Sequence, residues 1–263
     1  MKKIFLTGIF FILILFSLTA QYTTLNAHSH NDYENDPPFW LAYSNHFGSI
    51  EADIWAIDGE LLVAHYKSET KPERSLDSLY IQPIVKTFRQ NKGKAWVDKS
   101  STFQLLIDLK TEVEPTLSLL VEELKQYPDV FNHRKNKSAV RIVITGNRPE
   151  PAEFRNYPGF ILFDGRLNQD YNKKQLKRIA LYSENFRNFS TWDGTGNIMQ
   201  GELVRLQHTI DSVHSINKKI RFWNSPDDVN AWNTFINMGI DYINTDHINL
   251  LADYLNKRLK ILY

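Results

Sequence analysis

The chain has 263 residues, with 31 Lys and Arg set against 30 Asp and Glu, 42% apolar residues and no Cys. So large an apolar fraction at near-zero net charge excludes a disordered chain, and the lack of a basic excess excludes nucleic acid as the natural partner. Without Cys there is no disulfide scaffold, thiolate zinc site or Cys nucleophile; what remains is a globular protein with a sizeable core.

Lys2 and Lys3 precede an apolar run from Ile4 to Phe16, and Ser17-Leu18-Thr19-Ala20 offers small residues before Gln21. This is the pattern of a secretory signal peptide over residues 1–20. The run falls short of the roughly 20 apolar residues that a spanning helix needs, although an uncleaved anchor is the alternative. The expectation is export to the cell envelope or the medium, with residues 21–263 forming one domain.

From Thr23 onward, short runs of β-branched and aromatic residues alternate with helical patterns. The strands expected are Thr23–Ala27, Ser49–Ile54, Phe103–Leu109, Val140–Thr145, Phe160–Asp164, Ile179–Tyr182, Ile220–Trp223 and Tyr242–Thr245. Helices are expected over Leu76–Gln90, Thr116–Gln126 and Glu202–Lys218. Another follows a cap at Ser225 and ends at Gly239, and a last one covers Leu250–Leu259. Several strands are apolar at nearly every residue, as strands covered on both faces are. Eight strand–helix units in a chain of this length fit a TIM (β/α)8 barrel, which takes about 250 residues. An open doubly wound sheet is the runner-up, but no Gly-x-Gly-x-x-Gly follows the first strand.

Polar residues gather where the strands end, which in such a barrel is the active-site face. His28 and His30 end the first strand, Glu51 and Asp53 lie on the second, Asp108 and Lys110 on the third. Arg148 follows the fourth and Trp223 ends the seventh. Residues two apart on a strand point the same way, so each pair converges on one side. Any one acid alone reads as a strand-end surface residue. Three carboxylates converging from adjacent strands repel unless a cation sits among them, and hard oxygen ligands suit Mg²⁺ or Ca²⁺. A His-x-His also opens the metal site of amidohydrolases. Those enzymes need further His from later strands, and His46, His133, His208 and His214 fall in loops or helices.

The order His30-Asn31, Glu51-x-Asp53, Asp58-Gly59 and then His65 resembles the phosphatidylinositol phospholipase C/glycerophosphodiester phosphodiesterase superfamily of TIM barrels. Asp108-Leu109-Lys110 resembles its acid-x-Lys. Phe222-Trp223-Asn224, with the later run Gly239 to Asp246, resembles the ending of the glycerophosphodiesterases. The resemblance spans residues 27 to 246. It implies a metal-dependent phosphodiesterase in which Glu51, Asp53, Asp108 and Asn31 hold Mg²⁺ or Ca²⁺. His30 and His65 would be the acid–base pair; His28, which fits the glycerophosphodiesterase register, stays open as the alternative to His30. Lys110, with Arg148 or Arg166, would contact the phosphate, and Trp223 is a further substrate-binding candidate. The partner implied is a small-molecule or lipid phosphodiester, with transient membrane-surface contact in the lipid case. There are departures: the usual His-Arg-Gly and Pro-Glu-Asn are absent, and Asp108 stands where many relatives have Glu. The competing readings are a catalytically degenerate barrel that binds a sugar or lipid headgroup, and an amidohydrolase-type metal hydrolase.

Overall fold

A computed structural model describes residues 21–97 and 101–261, so the expected signal peptide lies outside the described residues. The strands are β1 (Ala27–Ser29), β2 (Ser49–Ile57), β3 (Glu60–Val63), β4 (Gln104–Leu109), β5 (Arg141–Gly146), β6 (Ile161–Gly165), β7 (Ile179–Asn185), β8 (Lys219–Trp223) and β9 (Ile243–Thr245). All but β3 run parallel, in the order β8-β7-β6-β5-β4-β2-β1-β9. The two ends of that order meet through a parallel bridge between Arg221 and Tyr242, closing a single-domain TIM barrel. β3 pairs antiparallel with the outer half of β2. Asp58 and Gly59 make that turn with φ of 49° and 85°, the left-handed pair that a tight hairpin requires.

The helices are α1 (Trp40–Ser44), α2 (Gln82–Gln90), α3 (Val113–Lys125), α4 (Pro128–Phe131), α5 (Lys173–Leu176), α6 (Gln200–Ser215), α7 (Val229–Met238) and α8 (Ile248–Ile261). On α6, Leu206, Ile210 and Val213 are buried, the spacing that keeps one helical stripe against the sheet. The main core lies in this layer between strands and helices.

Three expectations are corrected. The first strand begins at Ala27 rather than Thr23, because the Thr23 side chain accepts from Leu25 N at 3.2 Å and Asn26 reciprocates, making a 3-10 turn of Thr24–Asn26. α7 is capped by Asp228, whose carboxylate accepts from Ala231 N at 2.9 Å; Ser225 turns back towards Phe222 O. The strand–helix alternation also thins out. Between β5 and β6 there is only a 3-10 turn, Phe154–Asn156, and between β6 and β7 only α5, one turn long. There the Arg178 guanidinium donates to the carbonyls of Phe154, Pro158 and Ile161. It also lies over the Phe163 ring, which stacks on Phe154 at 3.9 Å. One half-buried cation thus satisfies loop carbonyls that a covering helix would otherwise shield.

Inside the barrel, Leu106, Val143, Leu181 and Tyr242 form a separate apolar floor, with Leu162 against it. Two residues further along the same strands come Asp108, Thr145, Ser183, Asn244 and Asp164. Period-two alternation therefore stacks a polar layer directly on the apolar one.

Candidate active site

That polar layer floors a cavity of about 900 Å³ at the C-terminal ends of the strands. The strand register sets its chemistry. Asp53 and Asp108 are direct partners across β2 and β4, and carboxylate oxygens of Glu51, Asp53 and Asp108 all lie within 4.8 Å of one another. Glu51 and Asp53 are buried; Asp108 is partly open to the cavity. Gly146 on β5 makes room for Asp108. Its φ is +69°, and a Cβ there would run into the Asp108 carboxylate.

Charge compensation is divided between two cations. Lys110 Nζ lies 2.8 Å from Asp53 Oδ2 and 3.0 Å from Asp108 Oδ2. Arg221 Nη1 donates to Glu51 Oε2 at 2.7 Å and to Asn244 Oδ1 at 3.1 Å, while its Nε donates to Ser183 Oγ. Burial alone would raise the Glu51 pKa; the Arg221 charge and the His28 hydrogen bond overturn this and hold it well below the usual carboxylate range. Asp53 goes the other way. Burial and the neighbouring Glu51 charge push its carboxyl up to about 6, against the opposing pull of Lys110.

His28 and His30 play different parts. His28 is fully buried beneath the cavity. Burial, and then the Arg221 charge, press its pKa down to about 3, so the ring is neutral. Gln104 donates to Ser49 Oγ, Ser49 meets His28 Nδ1 at 2.6 Å, and His28 Nε2 meets Glu51 Oε2 at 2.7 Å, with Arg221 packed against the same edge. A neutral ring serves this chain by accepting from Ser49 and donating to Glu51. His30 lines the cavity instead. Its Nδ1 is 2.8 Å from Asp246 Oδ1. Burial would lower its pKa, but the hydrogen bond to Asp246 and the Glu51 charge raise it.

His65 lines the same cavity, brought back by the β2–β3 hairpin. Its Nδ1 lies 3.2 Å from Tyr33 Oη and 3.4 Å from Asp53 Oδ2. Asn31, with φ of 44°, places Oδ1 2.9 Å from the same hydroxyl. Arg148 and Trp223 also line this cavity, as do Arg166 and Asp164. The structure therefore gathers His30, His65, Asn31, Glu51, Asp108, Lys110, Arg148 and Trp223 around one cavity, with Asp53 beneath it and His28 below. The remaining histidines named above stay outside the lining.

Three contributors escape sequence reading. Arg221 stands in an apolar strand, and its partner Glu51 is 170 residues away; the only local sign is a charge spaced two from Trp223. Tyr33 carries no spacing signal at all. Asp32, within the polar run after β1, is structural: it is buried and accepts from Ser29, Phe39 N and Tyr80 at 2.7, 2.6 and 2.9 Å.

The acid set fits a divalent cation. Asp53 Oδ1 is buried and has no hydrogen-bond partner among the described residues, which a native protein rarely tolerates unless something else satisfies it. It belongs to the same three-carboxylate cluster, and hard oxygen donors so close together are what Mg²⁺ or Ca²⁺ require.

Comparisons with known proteins agree with this architecture. The model of the AIM6-like phosphodiesterase domain matches residues 16–156, and that of the glycerophosphoryl diester phosphodiesterase family matches residues 219–248. Altered inheritance of mitochondria protein 6 of Eremothecium gossypii is 27% identical, over 86% of this chain and 68% of that one. Its homolog in Arthroderma benhamiae is 26% identical, over 90% and 86%. A crystal structure of a glycerophosphodiester phosphodiesterase from Parabacteroides distasonis superposes with a TM-score of 0.54 at 14% identity, covering 89% of this chain and 98% of that one. At that identity the likeness speaks for the barrel alone. The first family match covers more than half of the sequence, and the chain belongs to the AIM6-like phosphodiesterase family.

Proposed function

We propose that this protein is a divalent-metal-dependent phosphodiesterase that cleaves a glycerophosphodiester or phosphoinositide-type bond with two histidines as acid and base. The observation that carries the reading is the convergence of Glu51, Asp53 and Asp108 between His30 and His65. Glu51, Asp53, Asp108 and Asn31 would hold Mg²⁺ or Ca²⁺, which supplies Lewis-acid stabilisation of charge on the phosphoryl oxygens. Lys110 neutralises two of those acids and is placed to contact a phosphate oxygen, as is Arg148, which lines the same cavity. His30 and His65 exchange protons with the attacking hydroxyl and the leaving oxygen, one accepting and one donating. Asp246 holds His30 by Nδ1 and stabilises its protonated form. His28, buried and neutral, supports Glu51 rather than meeting substrate.

The N-terminal reading joins this proposal: export through the residue 1–20 signal peptide would bring the enzyme to phosphodiesters of the envelope or medium. A small-molecule or lipid diester is the substrate class, the lipid case adding transient membrane-surface contact.

A second reading has one observation in its favour. Lys110 already compensates Asp53 and Asp108, as a barrel that only binds a headgroup would need. One assay separates the two. Purified protein is given a glycerophosphodiester, a phosphoinositide and a chromogenic diester, with Mg²⁺ or Ca²⁺ and then with chelator. Metal-dependent turnover supports the enzyme. Binding without turnover in every case favours the degenerate barrel.

A further inference from the structure

We propose that Tyr33 is a positioning residue for His65: its hydroxyl fixes the Nδ1–H tautomer and leaves Nε2 as the proton-accepting nitrogen. The inference rests on the acid–base reading of His65 above and adds what sets its orientation.

The Tyr33 hydroxyl stands among three groups. Asp53 Oδ2 is 2.8 Å away, Asn31 Oδ1 2.9 Å and His65 Nδ1 3.2 Å. A phenol has one proton. A carboxylate is the strongest acceptor of the three, since charge-assisted hydrogen bonds are shorter and about twice as strong as neutral ones. Asp53 is also the nearest. With its proton committed to Asp53, the phenol oxygen can only accept from His65. The other neighbour of Nδ1 is Asp53 Oδ2, at 3.4 Å, also an acceptor. A bare Nδ1 would face two oxygen lone pairs, so this nitrogen carries the hydrogen.

The hydroxyl is itself held still. Tyr33 is buried. Arg74 Nη2 donates to its carbonyl at 2.6 Å, and the preceding Asp32 is pinned by three hydrogen bonds. His65, by contrast, is only half-buried at the end of the hairpin, and among the described residues this pair is what its ring meets within hydrogen-bonding distance. A ring that must move protons needs its tautomer set by the group on its far nitrogen, and supporting partners of this kind are worth about 10–100-fold in activity.

The test uses the full chain with ¹⁵N-labelled histidine. Signals are assigned to His65 by their loss in His65→Ala and read at about pH 9, where a histidine is neutral. The wild type should show Nδ1 protonated and Nε2 bare; Tyr33→Phe should shift the ring towards the Nε2–H form. Kinetically, Tyr33→Phe should lower kcat about 10–100-fold, and the loss should persist at saturating Mg²⁺ or Ca²⁺, since the hydroxyl also touches Asp53 and Asn31. Added to His65→Ala it should cost nothing more, because the effect passes through His65. A wild-type Nε2–H ring, a tautomer indifferent to Tyr33→Phe, or additive losses in the double variant would each overturn the proposal. If the wild type cleaves no phosphodiester, the enzyme reading falls and the tautomer measurement still decides on Tyr33. If it cleaves but the tautomer is wrong, the role of Tyr33 alone falls.

Discussion

Lys110 Nζ lies 2.8 Å from Asp53 Oδ2, and the oxygen on the other side of that carboxyl has no partner among the described residues. The lysine therefore satisfies one edge of the acid cluster and leaves the other facing inward, where a metal ion would coordinate. Asp53 holds its proton up to about pH 6 on account of burial and the Glu51 charge. A metal must displace that proton. Apparent Mg²⁺ or Ca²⁺ affinity is predicted to be flat above neutrality and to fall below pH 6, by up to about tenfold per unit. Calorimetry in two buffers of different ionisation enthalpy should detect the released proton near pH 5.5. Binding with no proton release there would remove Asp53 from the ligand set.

General acid–base groups contribute about 10²–10⁴-fold. His30→Ala and His65→Ala are each expected to lose that much kcat with fold and metal affinity retained. A nitrophenyl leaving group needs no acid and should rescue one variant only, which assigns the roles. Equal rescue of both would mean the pair does not divide the work.

His28→Ala should behave differently. It breaks the Gln104–Ser49–His28–Glu51 chain in the barrel floor and is expected to cost about 2–4 kcal/mol of stability, measured by denaturant unfolding. If its stability is normal and its kcat is abolished, His28 is the catalytic histidine and His30 is not.

Arg221→Gln leaves Glu51 uncompensated in the interior. Removing one partner of a buried pair costs about 3–5 kcal/mol. Because the same carboxylate is a candidate metal ligand, Mg²⁺ or Ca²⁺ should restore part of that loss, so the thermal midpoint of the variant should respond to cation more than the wild type does. Equal responses would place Glu51 outside the metal site.

Gly146→Ala tests the Asp108 seat. The added methyl meets that carboxylate, at a backbone φ of +69° that disfavours alanine. Metal affinity should fall at least about tenfold, with about 1–2 kcal/mol of strain. Unchanged affinity would show that Asp108 does not bind the ion. Separately, N-terminal sequencing of exported protein should begin at or near Gln21; a start at Met1 would favour an anchor.

The barrel was legible because its strands are buried on both faces and read as apolar runs. The acids were legible because Glu51, Asp53 and Asp108 interrupt those runs at period two. What compensates them was not. Arg221 reaches Glu51 only once β8 closes against β9, a relation that no local pattern encodes. Strand 1 was misplaced because Thr23 and Asn26 look β-compatible but spend their side chains on a turn. The thin crossovers around β6 were hidden too, since the plug that replaces a helix is one residue, Arg178.

Those crossovers divide the molecule into two halves with different freedom to change. The carboxylates and both cavity histidines come from β1, β2, β4 and the hairpin, whose positions are fixed by register and by the packed helices behind them. Arg148, Arg166 and Leu167 come from loops around β6 that no long helix covers and that are tied by exposed hydrogen bonds, such as Arg166 N to Tyr171 Oη and Leu167 N to Glu184 Oε1. Loops tied by exposed hydrogen bonds rather than by buried packing can change length at small energetic cost. On the proposed function, chemistry and recognition would therefore sit on separate sides of one rim. A change of substrate can be written into residues 147–158 and 166–172 while the reacting half stays as it is, which makes this side the natural place to graft a new specificity.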